Sequence, residues 1–358
     1  MNIKNAHNTL LKTIFICLFM VLNSDRGFPF AGEQWSRETR IVYLGGRWKF
    51  SIGDNAGWAK ASFNDNSWEE VSVPSAWEEQ GFYGYDGYAW YRKHFHCPSA
   101  VRGRAIILEM GYLDDVDEVY INGHLAGSTG SFPPYYSTAY SAHRRYYIPE
   151  KYLNLNGDNV IAVRIYDAEL SGGILSGTQQ LSIIRYDLEP DYLLEGEWKF
   201  SANDDQDSKN ISYDDSHWEK IIVPVQWELQ GYPNLDGYAW YRKRVHLSQE
   251  IANKDLVLMM GMIDDMDEVY INGRRIGHTG NMDGWANEYD YKKLRGYYIP
   301  KGLLKPDQVN VIAVRVFDGG YVGGIYSGPV GFISQQRYIQ YFRQRKSGRS
   351  LWDFLFNN

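Results

Sequence analysis

Two short acidic runs contain the side chains best suited to chemistry. Asp114-Asp115-Val116-Asp117-Glu118 and Asp264-Asp265-Met266-Asp267-Glu268 each gather four carboxylates within one short segment. Carboxylate oxygens hold hard cations such as Ca²⁺, act as a general acid and base, or accept hydrogen bonds from backbone amides in turns. Because each run directly precedes a predicted hairpin strand, we expect a structural role. A calcium site and acid–base catalysis remain alternatives.

Aromatic residues near Gly and Asp form a second set that could do chemistry. A pyranose ring stacks its C–H face on Trp or Tyr, and its hydroxyls hydrogen-bond to Asp, Asn or Arg. Each half of the chain carries such a set, and we predict that it binds carbohydrate; the alternative is burial in a core. The candidates are Trp77, Tyr83, Tyr85, Asp86, Tyr135 and Tyr136, then Trp227, Tyr232, Asp236, Trp285, Tyr289 and Tyr291. Trp90, Tyr91 and Arg92 are interpreted instead as core and corner residues.

Other reactive residue types give weaker signals. His94 and His96 have a spacing that suits a metal, but the second half of the chain has Arg244 and His246 at the matching positions, so a structural role is expected. Cys97 corresponds to Leu247 and is interpreted as an apolar core residue. The sequence contains no Gly-x-Ser-x-Gly elbow, phosphate loop or Cys cluster. No cofactor is predicted, apart from the structural calcium alternative.

The chain is a tandem duplication. The octapeptide of residues 86–93, Asp-Gly-Tyr-Ala-Trp-Tyr-Arg-Lys, recurs unchanged at residues 236–243, and residues 117–123 recur at 267–273 with the sequence Asp-Glu-Val-Tyr-Ile-Asn-Gly. A repeat this long is a whole domain with its own core, because solenoid repeats span only about 20 to 50 residues. A candidate site that one copy lacks is therefore poor support for a shared mechanism.

The secondary-structure signals favour strands. Each repeat opens on a short alternating segment, contains strands stopped by proline, and has an Asn-Gly pair typical of a type I′ hairpin, at Asn122-Gly123 and Asn272-Gly273. Neither repeat shows an amphipathic helix. We predict an all-β chain of two jelly-roll sandwiches, at residues 40–186 and 190–334. Residues 335–358 form a basic and aromatic tail, predicted to be a helix that docks on the second domain; contact with a protein partner or a membrane surface is the alternative.

The N-terminus and the net charge bear on where the protein acts. Lys4 and Lys12 precede an apolar run from Ile14 to Leu22 and a polar stretch, which is the layout of a signal peptide over residues 1–30. We therefore expect a secreted or periplasmic protein. The net charge of −7 and the absence of a basic stripe in the repeats argue against nucleic acid as a ligand.

Both repeats resemble the sugar-binding, galactose-binding-like domain of family 2 glycoside hydrolases such as β-galactosidases and β-glucuronidases. The residues that carry the resemblance are Trp48 and Trp198, Trp90-Tyr91-Arg92 and Trp240-Tyr241-Arg242, the Val-Tyr-Ile-Asn-Gly hairpins with Gly127 and Gly277, and Gly172-Gly173-Ile174 and Gly323-Gly324-Ile325. The resemblance implies jelly-roll sandwiches. In that family the two catalytic glutamates lie on a separate barrel of about 250 residues, so no catalytic residue is carried over to this chain.

The function predicted from the sequence is that of a secreted, non-catalytic carbohydrate-binding protein. Two alternatives stay open. One is a structural, protein-interaction or sensory module of a surface complex. The other is an accessory part of a glycoside hydrolase acting in carbohydrate metabolism.

Overall fold

The computed structural model describes residues 36–282 and 290–348. The compact unit that begins at Arg37 contains both repeats and the tail helix. The strands of the first repeat are β1 (Ser36–Tyr43), β2 (Gly46–Ile52), β3 (Glu69–Val73), β4 (Gly87–Cys97), β5 (Ile106–Asp114), β6 (Val116–Ile121), β7 (His124–Thr129), β8 (His143–Ile148), β9 (Gly157–Asp167), β10 (Gly173–Ser176) and β11 (Gln180–Tyr186).

The second repeat follows the same plan. Its strands are β12 (Tyr192–Leu193), β13 (Gly196–Ser201), β14 (Glu219–Val223), β15 (Gly237–Leu247), β16 (Leu256–Asp264), β17 (Met266–Ile271), β18 (Arg274–Thr279), β19 (Arg295–Tyr298), β20 (Gln308–Asp318) and β21 (Gly324–Ser334). A short helix, α1 (Gln249–Ala252), lies within this repeat, and α2 (Gln335–Gly348) follows it.

Each repeat is a sandwich of two antiparallel sheets, as predicted. In the first, the six-stranded sheet has the order β3-β2-β4-β9-β6-β7, and the opposing sheet has the order β1-β11-β5-β10 with β8 also pairing with β5. In the second, the orders are β14-β13-β15-β20-β17-β18 and β12-β21-β16-β19. Alternate side chains on each strand point inward, so each repeat builds its own apolar core.

The repeated octapeptide leads into β4 and β15, and its central Ala-Trp-Tyr-Arg residues are buried on both faces of the sheet. Tyr91 points into the sandwich core, whereas Trp90 and Arg92 point outward and are covered by the segment between β2 and β3. The Nε atom of the fully buried Arg92 donates to Asp65 Oδ2 over 2.8 Å. His94 Nε2 lies 3.1 Å from the same carboxylate. In the second repeat Arg244 contacts the equivalent Asp215 over 3.1 Å, so this position supplies a partner for an aspartate in both repeats.

The Asn-Gly hairpins form as predicted. Asn122 and Gly123 have φ values of 51° and 84°, and Asn272 and Gly273 have values of 50° and 82°. Two consecutive residues with positive φ define the type I′ turn, whose twist matches that of the flanking strands.

The tail helix α2 packs on the second repeat. Tyr338, Tyr341 and Phe342 lie against a small apolar cluster formed by Leu188, Val257, Met259 and Ile333. This contact confirms the predicted docking for the part of the tail that the structure describes. Within residues 36–282 and 290–348, no helix is both long enough and apolar enough to cross a membrane.

Candidate functional site

Three carboxylates meet at one end of each sandwich. Asp114 is the last residue of β5, Asp115 forms the corner that leads into β6, and Asp167 is the last residue of β9. One oxygen of each lies within 4.8 Å of the others, and Asp264, Asp265 and Asp318 form the same cluster in the second repeat. The corner brings them together because β5 and β6 belong to opposite sheets while β6 pairs with β9. We call these two sets the carboxylate clusters.

Asp115 is held by hydrogen bonds from two loops. Ala168 N–H donates to its Oδ2 over 3.0 Å, and Tyr136 Oη donates to the same oxygen over 2.5 Å. Thr138 donates to Oδ1. Burial opposes ionisation of this carboxyl, but the hydrogen bonds from Thr138 and Tyr136 outweigh it and lower the pKa of Asp115. These hydrogen bonds therefore stabilise the ionised form of Asp115.

Asp167 is fully buried, and only one of its oxygens has a hydrogen-bond partner among residues 36–282 and 290–348. Oδ1 accepts a hydrogen bond from Glu169 N–H over 3.4 Å, whereas Oδ2 accepts none from these residues. Asp318 repeats this arrangement, with Gly320 N–H at 3.2 Å from Oδ1 and no partner for Oδ2 within the part of the chain that the structure describes. An unpaired buried carboxylate oxygen is costly. Burial raises the pKa of both Asp167 and Asp318 to about 7.

The pKa of the half-buried first aspartate of each cluster is also raised. Burial and the adjoining Asp115 carboxyl raise the pKa of Asp114 to about 7. Burial and Asp265 raise the pKa of Asp264 to about 8. In each cluster, the close carboxyls therefore resist simultaneous ionisation.

The remaining acidic residues of each run belong to ion pairs. Arg144 Nε donates to Asp117 Oδ1 over 2.7 Å, and both side chains are fully buried. Arg164 Nη1 lies 3.1 Å from Glu118. In the second repeat Arg295 pairs with Asp267 over 2.9 Å. The structural role expected for the runs therefore fits Asp117, Glu118 and Asp267.

Two loops that the sequence singled out border the first cluster. Gly87 pairs with Asp167 across β4 and β9, so Asp86 lies beside the cluster. The loop before Asp86 is tied to the same end, because Trp77 N–H donates to Gly172 O over 3.1 Å. The loop between β7 and β8 reaches it through the hydrogen bonds of Tyr136 and Thr138 to Asp115.

Trp77 and Trp227 require a correction. Both indoles are fully buried in the sandwich cores, so neither has a face on which a sugar can stack. Trp77 Nε1 donates to Tyr85 O over 3.0 Å. A Cβ on Gly172 would lie 2.1 Å from the Trp77 ring, and one on Gly323 would lie 2.1 Å from Trp227, so glycine is required where the loop crosses each indole.

Two of the candidate tyrosines are also held by the fold. Tyr85 Oη donates to Tyr88 O over 2.7 Å, and its ring packs edge-on against Trp77. Tyr232 Oη donates to Glu219 over 2.5 Å, and its ring lies 4.8 Å from that of Phe200. Both rings are half-buried at the margin of a core.

The remaining candidates are more accessible where the structure describes them. Tyr83 and Tyr135 are 83% and 86% exposed, and Tyr136 is 38% exposed. Asp86 and Asp236 are exposed. Tyr291 is half-buried, and its carbonyl accepts a hydrogen bond from Tyr326 over 2.7 Å. Trp285 and Tyr289 lie outside the described residues.

Sequence reasoning missed one pair of positions at this end. Leu170 and Tyr321 occupy the loop between the cluster aspartate and the Gly-Gly pair of each repeat, and they are 82% and 101% exposed. Their φ values are 77° and 79°. An apolar side chain held outward on a positive-φ residue is unusual, and such strain often marks a binding site. The only sequence signal was their matching position in the two repeats.

Comparison with known proteins gives matches to part of the chain. Residues 53–170 match the family model described as "Beta-galactosidase second all-beta domain". A β-galactosidase of Bacteroides ovatus is 30% identical over 134 residues, which is 34% of this chain and 15% of that protein. A β-glucuronidase of Formosa agariphila is 29% identical over 102 residues, which is 25% of this chain and 10% of that protein.

Among solved structures, one match is a family 2 glycosyl hydrolase from Bacteroides cellulosilyticus. The matched region covers 78% of this chain and 31% of that chain, with a TM-score of 0.34 and 16% identity. The sequence match over residues 53–170 confirms the resemblance to the non-catalytic domains of family 2 glycoside hydrolases. The chain matches only a small part of the length of these curated relatives.

Proposed function

We propose that the protein is a secreted, non-catalytic carbohydrate-binding protein whose sugar contacts lie on the loops around the carboxylate clusters. The observation that carries this proposal is the exposure of Tyr83, Tyr135, Leu170 and Tyr321 on loops that border these clusters. A sugar stacks on such side chains through its C–H face. The exposed carboxylates of Asp86 and Asp236 accept hydrogen bonds from its hydroxyls.

The similarity to domains of β-galactosidases and β-glucuronidases also supports a sugar ligand. The two repeats differ in their loops: the first has Tyr83 and Leu170 where the second has Pro233 and Tyr321. We therefore expect the repeats to differ in affinity or in the sugar that they prefer.

A glycan array followed by isothermal titration calorimetry tests the proposal. The first variants are Tyr135→Ala for the first repeat and Tyr321→Ala for the second. Each should weaken binding at its own repeat by about 1 to 3 kcal/mol, by analogy with base stacking on aromatic side chains, while stability changes by less than about 1 kcal/mol.

Tyr298→Ala is the matched control. This tyrosine is 50% exposed but lies on β19 opposite the start of β16, whereas Asp264 ends β16. The affinity of the Tyr298→Ala variant for sugar should equal that of the unmodified protein. If both loop variants retain full affinity for a glycan that the protein binds, the proposed contacts are wrong.

A hydrolase is the enzymatic alternative. Asp115 and Asp167 are 7% and 0% exposed, and Asp115 is held by three hydrogen bonds, so a sugar ring cannot reach both carboxylates. We predict that the purified protein does not turn over aryl β-galactosides, β-glucuronides or β-mannosides. Hydrolysis that a single carboxylate substitution abolishes would contradict this prediction.

A protein-interaction module is the second alternative. Absence of binding to every glycan on a diverse array, together with a protein that co-purifies with the exported chain, would favour the protein-interaction module over sugar binding. Export is tested separately, by mass spectrometry of the N-terminus of protein collected outside the cytoplasm. Cleavage between Ser24 and Ala31 is expected.

A further inference from the structure

We propose that each repeat binds one calcium ion in its carboxylate cluster, through Asp114, Asp115 and Asp167 in the first repeat and through Asp264, Asp265 and Asp318 in the second. These residues differ from the acidic run read from the sequence. Asp117 forms an ion pair with Arg144 and is not part of the cluster. The third member is Asp167, which is distant in sequence.

The first argument is the geometry of the donors. One oxygen from each of three carboxylates lies within 4.8 Å of the others, which is the spacing of ligands around a single ion. A calcium ion has oxygen ligands at about 2.3 to 2.6 Å, so oxygens on its coordination sphere lie less than about 5.2 Å apart.

The second argument is an unpartnered oxygen on the buried aspartate of each cluster. Asp167 and Asp318 are 0% and 1% exposed, and among the described residues the Oδ2 atom of each has no hydrogen-bond partner. Buried polar atoms are nearly always satisfied, and an unsatisfied one often marks a missing water or ion. The same oxygen is unpartnered in both repeats, so the feature is not a local irregularity of one loop.

The third argument is charge. Across residues 36–282 and 290–348, no Lys or Arg forms an ion pair with any of the six cluster carboxylates. Two guanidinium groups bind the backbone of cluster residues instead of their carboxylates: Arg144 Nη2 donates to the carbonyl of Asp115 over 2.9 Å, and Arg295 Nη2 donates to that of Asp265 over 2.9 Å. A bound divalent cation would supply the balancing charge.

The donor set selects the kind of ion. All three side-chain donors are carboxylate oxygens, which favours a hard cation over zinc or copper. Calcium accepts irregular arrangements of six to eight oxygens, including waters and backbone carbonyls, whereas magnesium requires a near-ideal octahedron. A site built from a corner and two strand ends has an irregular arrangement of donors, which calcium accepts more readily than magnesium does. The competing account is that the close carboxyls share protons and bind no ion.

Calcium titration of the full chain after removal of metal with EDTA tests the proposal. Isothermal titration calorimetry should give two calcium ions per chain, and saturating calcium should raise the Tm by about 5 °C. An equal concentration of magnesium should not displace the calcium. Absence of any calcium-dependent heat or Tm change up to about 10 mM would overturn the proposal in favour of the shared-proton account.

Asn variants assign the sites. Asp167→Asn and Asp318→Asn should each reduce the stoichiometry from two to one, and the double variant should bind none. Asp158→Asn, at a side chain that is 96% exposed, is the control and should retain two ions. Two ions bound by both single variants would show that the clusters are not the sites.

A folding defect is separated from a binding defect by circular dichroism in the absence of calcium. If Asp167→Asn or Asp318→Asn does not fold, Asp114→Asn and Asp264→Asn at the half-buried positions replace them, with the same expected stoichiometry. These measurements use no sugar, so their outcome is independent of the carbohydrate proposal.

Discussion

Asn159 shows how one amide fixes the start of a long central strand. Its side chain is 1% exposed. Oδ1 accepts hydrogen bonds from Asn122 Nδ2 and Asn154 N–H, each over 2.8 Å. Nδ2 donates to Asn154 O and Gly157 O, each over 3.0 Å. All four hydrogen bonds of the amide are used, which ties the hairpin turn to β9. Asn272 and Asn310 repeat the contact in the second repeat.

We predict that Asn159→Asp lowers the free energy of unfolding by about 2 to 4 kcal/mol. The carboxylate is nearly isosteric, but it cannot donate to the two carbonyls and brings a charge into a buried position. Urea unfolding monitored by fluorescence measures the loss. Asp158→Asn, one position earlier and exposed, should change stability by less than about 0.5 kcal/mol. Equal stability of both variants would refute the role given to this amide.

Among the elements, the hairpin of β6 and β7 depends most directly on one backbone conformation. Gly123 has a φ of 84°, which side chains other than that of glycine rarely adopt. We predict that Gly123→Val lowers the free energy of unfolding by about 1 to 3 kcal/mol, because a β-branched residue is strained at positive φ.

Ser128→Val on β7 is the matched control. Ser128 is exposed and in extended conformation on the same hairpin, so valine should change stability by less than about 0.5 kcal/mol. Thermal melting of both variants compares them. If the two melt alike, the strain at Gly123 does not contribute to stability.

Across the whole molecule, Glu195 links the two repeats. It precedes β13, and its Oε2 accepts a hydrogen bond from Ala105 N–H of the first repeat over 3.3 Å. Burial raises the pKa of Glu195 to about 7, and the nearby charge of Glu189 acts in the same direction. Arg104 and Tyr186 act in the opposite direction but do not overcome burial.

This pKa predicts a pH dependence of stability. The folded protein holds the Glu195 proton more tightly than the unfolded chain, whose carboxyl titrates near 4.5. Its contribution is therefore fully present below that pH and is lost as the pH rises through about 7. The carboxylate clusters titrate in the same window, so only a comparison with a variant isolates Glu195.

We predict that Glu195→Gln weakens the loss of stability between pH 5 and pH 8 by on the order of 2 kcal/mol, because the amide stays neutral. Urea unfolding at both pH values measures the difference. Glu250→Gln, at a side chain that is 81% exposed, should leave the pH dependence unchanged. The same slope in Glu195→Gln and in the unmodified protein would show that this carboxyl is ionised throughout.

The sequence by itself determined the duplication, the all-β class and the hairpin turns. These features are local: a type I′ turn needs Asn-Gly at adjacent positions, and alternation along a strand is visible within a few residues. The burial of Trp90, Tyr91 and Arg92 followed from the repeat, because identical segments serve the shared fold. The helical tail was also apparent from the change in composition after residue 334.

Only the tertiary structure decided the composition of the site. Asp167 joins Asp114 and Asp115 because the β5–β6 corner crosses between sheets beside the end of β9, and no local pattern records that crossing. The same applies to Trp77, which resembles a stacking residue in sequence but is enclosed by Gly172 of a distant loop. Leu170 and Tyr321 are exposed through backbone conformations that their residue types do not favour. Contacts between segments far apart in the chain determine all three, because they depend on how the two sheets pack.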